Sequence, residues 1–217
     1  FMSTRRHILP SRRSFLATST ALGAMLAAPG LLFAAASPEA VAGASAFISS
    51  LAQRAIAILQ SSNGKLESRE AQFRVLLSNG FDMAFIARFV LGKHWRKATP
   101  QERADYVALF TEFILKSYSR RLGGYSGETF TVAGAKTAGK KDIMVKTKIV
   151  QPGGPPIKAD WRVRPRKGEY KIIDIMVEGV SMAVTQRSEF NAVVRKRGMQ
   201  GLLQALRART EKFGVAS

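Results

Sequence analysis

Two histidines, no cysteine and fifteen carboxylates make up most of what this 217-residue chain offers for acid–base, thiol or metal chemistry. His7 lies in a basic N-terminal stretch. His94 lies in Gly92-Lys93-His94-Trp95-Arg96, among cations and with no carboxylate near it in sequence, and it reads as a helix-end histidine at the surface. The lack of cysteine excludes a disulfide scaffold, thiolate metal sites, a cysteine nucleophile and a lipoprotein anchor. No carboxylate or histidine spacing suits zinc or calcium. There is no phosphate-binding P-loop, no dinucleotide fingerprint and no G-x-S-x-G elbow. Asp174 and Glu178 share the parity of one expected strand, which is the nearest approach to an acid–base pair. Four residues along a strand separate backbones by roughly 13 Å, too far for a dyad, so both read as solvated positions. No catalytic residue and no cofactor is expected.

The elements that would position a site divide into helices, then strands, then helices. Ser37-Pro38-Glu39 is a helix start, a capping serine followed by proline in the first turn, and the helix runs to about Gln60. A second helix is expected from Ser68 to Ser78. A third, from Phe81 to about Trp95, stacks Phe81, Phe85 and Phe89 along one face. Thr99-Pro100-Gln101-Glu102 is a capping box that opens an aromatic helix carrying Tyr106, Phe110, Phe113 and Tyr118 to about Leu122. Period-two alternation then marks four strands, with Phe130 and Val132, Ile143 and Val145, Trp161 and Val163, and Ile173 and Ile175 facing in. Lysines and arginines (Lys146, Lys148, Lys158, Arg162, Arg164) face out, and Pro152-Gly153-Gly154-Pro155 is a hairpin turn. The tail returns to helix, with Gly198 as a cap before a short Leu202-Leu203-Leu206 helix. The expectation is an α+β domain, a curved antiparallel sheet of about four strands covered by helices.

The first 36 residues read as a leader rather than as part of that domain. Arg5, Arg6, Arg12 and Arg13 precede a mildly apolar run ending in Ala34-Ala35-Ala36, the three parts of a secretory signal. Ser11-Arg12-Arg13-Ser14-Phe15-Leu16 fits the twin-arginine pattern, so export to the periplasm with cleavage before Ser37 is expected. The run is weakly apolar and broken by Pro29, which argues against a membrane anchor. Residues 37–217 then form a single domain. The whole chain carries a formal charge of +19, and without the leader thirty basic residues still face fifteen acidic ones. Such a surface attracts anionic partners. The export signal and the lack of any recognised nucleic-acid motif argue against nucleic acid.

Two blocks carry a family resemblance. One is Val90-Leu91-Gly92-Lys93-His94-Trp95-Arg96-Lys97-Ala98-Thr99-Pro100-Gln101-Glu102-Arg103; the other is Asp174-Ile175-Met176-Val177-Glu178-Gly179-Val180-Ser181-Met182, followed by Arg187-Ser188-Glu189-Phe190 and Gly198-Met199-Gln200-Gly201-Leu202. Together they resemble the MlaC family of toluene-tolerance or phospholipid-binding ABC-transporter auxiliary proteins, over about Phe47 to Arg209. The resemblance implies helices and a curved sheet enclosing an apolar lipid cavity. It also implies a phospholipid cargo and two partners, an MlaD-type inner-membrane complex and an MlaA-type outer-membrane lipoprotein. Such a carrier maintains outer-membrane lipid asymmetry; the sequence leaves the oligomeric state open, with a monomer as the default expectation for a soluble shuttle. The residues expected to wall the cavity, chosen by periodicity and size, are Phe85, Phe89, Phe110, Phe113, Trp161, Ile173 and Ile175. Two alternatives stand beside this reading. One keeps the fold and carries a hopanoid or other sterol-like lipid; the other is an isomerase-type enzyme, which requires an acid or base in the pocket.

Overall fold

The structure is a computed structural model that describes residues 36–61, 66–119, 127–166 and 168–212. The expected leader lies, but for Ala36, outside the described residues.

The first layer is helical. Helix α1 (Pro38–Gln60) starts as its sequence dictates, with the Ser37 hydroxyl accepting the Ala40 amide at 3.3 Å and proline in the first turn. It is long and apolar enough to cross a membrane by length and composition, yet Ala44, Ile48 and Leu51 are buried with the sheet residues Ile143, Val145 and Val163. Helix α2 (Leu66–Gly80) follows, then α3 (Met83–Leu91), the single turn α4 (His94–Lys97) and α5 (Pro100–Ser119). The expected third helix is thus two. Gly92, at φ 58°, separates them, and Phe81 precedes the helix altogether. The capping box of α5 forms in both directions: Thr99 Oγ1 accepts the Glu102 amide at 3.2 Å and Glu102 Oε2 accepts the Thr99 amide at 2.9 Å.

The sheet has five antiparallel strands in sequence order: β1 (Thr129–Ala138), β2 (Asp142–Val150), β3 (Ile157–Arg166), β4 (Glu169–Val177) and the two-residue β5 (Val180–Ser181). Four long strands match the expectation. Register shifts at Val132/Gly134 and at Arg162/Val163 bend the sheet, as bulges do. The outer part of the β4 edge is closed by the chain before α3, where Phe81 forms an isolated parallel bridge with Ile172 and the Asp82 amide donates to the Ile172 carbonyl at 2.9 Å. Helix α6 (Met182–Lys212) closes the domain, and Gly198 at φ 69° breaks its helical geometry where a cap was expected.

Two packed clusters result. One joins α3, α5 and α6 through Ala87, Val90, Tyr106, Phe110, Phe190 and Leu203. The other joins α1 and α2 to the sheet through Ile48, Phe73, Ile143, Val163 and Ile172.

Candidate functional site

The space between those clusters is not filled. A cavity of about 250 Å³ has α3 (Met83, Ile86, Val90), α5 (Phe110, Ile114), the start of α6 (Met182, Ala183) and the sheet residues Trp161 and Ile175 in its wall. A second space of about 490 Å³ lies under α1 and α2, lined by Leu51, Ala55, Ile56, Phe130, Ile149 and Ile157 among others. Phe73, Leu77, Tyr118 and Trp161 line both. The two are therefore adjoining lobes with one shared wall, and both are partly open.

The shared wall is positioned by specific bonds. Trp161 Nε1 donates to Thr147 Oγ1 at 3.0 Å, and that hydroxyl donates to the Ala159 carbonyl at 2.6 Å. A threonine buried on the inner face thus spends its polar capacity fixing the indole. Phe130 packs edge-on against the indole with ring centres 6.3 Å apart. On the helical side Arg74 of α2 forms a two-bond ion pair with Glu112 of α5, and Lys116 bonds the same carboxylate at 3.2 Å. Burial opposes the charge on Glu112, but the bonds from Arg74 and Lys116 prevail and hold it below the usual carboxylate range. This pair keeps α2, with Phe73 and Leu77, over the junction of the lobes.

Polar groups at the cavity are few and occupied. Asp174 is half-buried in the first lobe's wall. Its Oδ2 accepts the Ser181 hydroxyl at 2.6 Å and its Oδ1 accepts the Ala183 amide at 3.0 Å, while Ser181 Oγ accepts the Val184 amide at 3.1 Å. The carboxylate is a cap for the start of α6. Glu178 lies exposed in the turn after β4 and accepts the Lys158 amide at 2.6 Å. Both are tied to the backbone in separate places, and they form no dyad. In the second lobe Glu128, Thr129 and Gln151 gather at the start of β1 and the end of β2. One end of the cavity is therefore polar and the rest apolar.

Of the seven residues expected in the wall, Phe110, Trp161 and Ile175 line the cavity. Four do not. Phe85 and Phe89 point to the other side of α3, where Arg164 covers the first ring at 4.5 Å and Arg187 the second at 5.1 Å. The cavity takes the adjacent stripe of that helix, Met83, Ile86 and Val90. Phe113 is in the solid cluster against Phe190, ring centres 6.2 Å apart. Ile173 is displaced by the bulge: Trp161 pairs with Ile175 but Val163 pairs with Ile172, so Ile172 takes the place in the core that simple alternation gives to Ile173. Sequence reasoning missed Phe73 and Leu77, whose short amphipathic helix carried a weak signal, and Ile86 and Val90, which lay beside the phenylalanine stripe.

Comparison with known proteins now bears on this arrangement. The family model described as MlaC protein matches residues 49–208. The intermembrane phospholipid transport system binding protein MlaC of Haemophilus influenzae is 24% identical over 153 residues, 67% of this chain and 72% of that one. The toluene tolerance protein ttg2D of Pseudomonas putida is 24% identical over 106 residues, 49% of each chain. Among solved structures, a phospholipid-binding protein from Ralstonia solanacearum in complex with a phospholipid superposes with a TM-score of 0.70 at 21% identity, covering 79% of this chain and 98% of its own, a likeness of fold. The family match spans both blocks that carry the sequence resemblance and nearly all of the elements around the cavity: the chain belongs to the MlaC family.

Proposed function

We propose that the protein is a phospholipid carrier that holds acyl chains in the two-lobed cavity and leaves the headgroup in water at the polar end. The observation that carries this reading is the unfilled apolar space, one lobe between the two clusters and the other under α1 and α2, walled by Phe110, Trp161 and Ile175 together with Phe73 and Leu77. Two acyl chains contain about 30 methylenes, each worth about 0.8 kcal/mol on leaving water, so bare transit through water costs on the order of 20 kcal/mol. A carrier lowers that cost by offering apolar walls, and it needs no reacting group. The one carboxylate in the first lobe's wall is engaged as a helix cap, which supports a binding role over an isomerase-type reaction.

Family membership and one relative named for intermembrane phospholipid transport support a place in lipid exchange, and the twin-arginine-type pattern of the leader supports export of a soluble periplasmic carrier, taken as a monomer. There it exchanges lipid with an MlaD-type inner-membrane complex and an MlaA-type outer-membrane lipoprotein. Division of the cavity into two lobes favours a lipid with two flexible chains over a rigid sterol-like one.

The test is the organic extract of the purified protein, read by mass spectrometry. Phospholipid near one equivalent is expected, and Leu77→Trp, which inserts an indole at the junction of the lobes, is expected to lose most of it. A hopanoid in the extract moves the reading to the sterol-like alternative. An extract with no lipid, from protein produced in cells that make phospholipid, overturns it.

A further inference from the structure

The face of α3 and α6 that looks away from the cavity holds a second feature. A cleft of about 540 Å³ is lined by Phe89, Lys93, Arg187, Ser188, Asn191 and Arg195, together with Val184. It contains three cations and no acid. Several other basic side chains are paired: Arg162 and Arg164 with Asp142, Arg166 with Asp82, Arg74 with Glu112, and Arg207 with Asp105. Lys93, Arg187 and Arg195 have no ion-pair partner among the described residues.

Arg187 is held in place. Its guanidinium lies over the Phe89 ring at 5.1 Å and against the backbone of Gly92, where an added Cβ would meet Nη2 at 3.0 Å and Cζ at 3.1 Å. Gly92 also sits at φ 58°, so glycine serves both the turn and the approach of the arginine. A planar fork fixed between a ring and a backbone loses little freedom on binding an oxyanion. Beside it, His94 Nε2 and Asn191 Oδ1 are buried, and neither has a hydrogen bond of ordinary geometry. Burial first, then Lys93, Lys97 and Arg195, push the His94 imidazole below its usual value, as expected in a pocket of uncompensated positive potential.

We propose that this cleft is a docking surface for anionic membrane lipid, with Lys93, Arg187 and Arg195 taking headgroup phosphates and the exposed valines beside them meeting the apolar boundary. Val184 in the cleft and Val180 just before α6 are among the large apolar residues most open to solvent. An acidic protein surface is the other occupant these cations could take, and the poly-glutamate arm of the test separates it from lipid. Met182, Ala183 and Gln186, on the same first turns of α6, line the cavity, so docking here brings the first lobe close to the lipid surface.

The experiment is co-sedimentation of the full protein with vesicles of phosphatidylglycerol or of phosphatidylcholine. K93Q/R195Q removes two exposed charges and leaves the packed Arg187 in place. K146Q/K148Q removes the same charge from the outer face of the sheet, where both lysines are exposed. A basic residue at an anionic surface contributes about a fivefold factor, and charges beyond the screening length contribute little. The cleft double variant should therefore bind phosphatidylglycerol about 25-fold more weakly. The sheet variant should change less than about threefold, and the His94 signal in NMR titrations should move toward protonation only with the anionic vesicles. Equal losses from both variants, or no loss from the cleft variant, overturn the proposal. So does a cleft variant that loses binding to a poly-glutamate peptide but keeps vesicle binding. Leu77→Trp is expected to leave vesicle binding unchanged, which separates this inference from the cavity reading.

Discussion

Two parts of this molecule are built from the same side chains and end in opposite states. Around Phe190 the side chains of α3, α5 and α6 pack ring against ring: Tyr106, Phe110, Phe113 and Phe190 meet with ring centres 5.8 to 6.3 Å apart, and the Tyr106 hydroxyl donates to the Ala87 carbonyl at 3.1 Å. Between α2 and the sheet, Phe73, Leu77, Phe130 and Trp161 are as apolar and leave a space. The sheet repeats the contrast along its own length. Near Asp142 the strands are packed, with Ile143, Val163 and Ile172 fully buried; near Gln151 they line the second lobe. An apolar residue type fixes that a side chain leaves water. Whether neighbours reach it depends on how far apart the backbones are held. Here that distance is set by the Arg74–Glu112 pair, the capped start of α6 and the sheet bulges.

The contrast predicts unequal responses to substitution. Phe190→Ala, in the closed cluster, removes a ring in contact with three others. It should cost about 4 kcal/mol in denaturant unfolding. A cost under about 1 kcal/mol would mean that the aromatic cluster is loose and the distinction false. Asp142→Asn tests the packed end of the sheet. The carboxylate is 4% exposed and bonds Arg162 at 2.8 Å and Arg164 at 2.6 Å. Burial works against its charge, but the two arginines more than offset this and hold its pKa below the ordinary 3.8. Its stabilisation is therefore present above about 3.8 and is lost as pH falls through the lower, folded value. Both arginines are partly solvated, so the substitution should cost about 2–3 kcal/mol at neutral pH. Acid unfolding between pH 4 and 2 should become correspondingly less steep.

Much of the architecture was legible because it rests on local rules. Ser37-Pro38, the Thr99–Glu102 box and Gly198 each mark an element's start or break at the expected place, and alternation placed the four long strands. The cavity was legible only in part. Phe85 and Phe89 form the strongest stripe on α3, yet cations from β3 and α6 cover them, and no local pattern encodes an arginine that arrives from eighty or a hundred residues away. Ile173 failed for another reason, since a one-residue bulge reverses parity and leaves no mark in the alternation. Phe113 and Phe110 are alike in sequence, and only the third dimension puts Phe110 at the edge of the space and Phe113 inside the solid part.

Smaller effects sharpen the same boundary. Tyr106→Phe deletes one hydroxyl from the closed cluster and leaves the Ala87 carbonyl within its helix, so a loss of about 1 kcal/mol is expected. Burial alone pushes the Tyr106 phenol above its ordinary 10, so the unfolded chain ionises there before the fold does; Tyr106→Phe should leave the pH dependence near neutrality unchanged and remove this residue's loss of stability above about pH 10.

The smallest expected change in stability is the most informative. Leu77→Trp adds a large ring where two lobes meet. In a filled core such an insertion costs about 1–3 kcal/mol by forcing side chains off their rotamers. Next to an existing space the indole has room, and the apolar surface it covers offsets the strain, so with both proteins delipidated the unfolding free energy should stay within about 1 kcal/mol of the parent. The matched control is Ala87→Leu, where a fully buried alanine sits in the aromatic cluster and is not among the residues that line either lobe. If Leu77→Trp destabilises as much as Ala87→Leu, the lobes are filled in solution by movement of α2 onto the sheet, and the two regions differ only in name. If it leaves stability unchanged while removing bound lipid, the space is a property of the fold itself and its occupant is cargo.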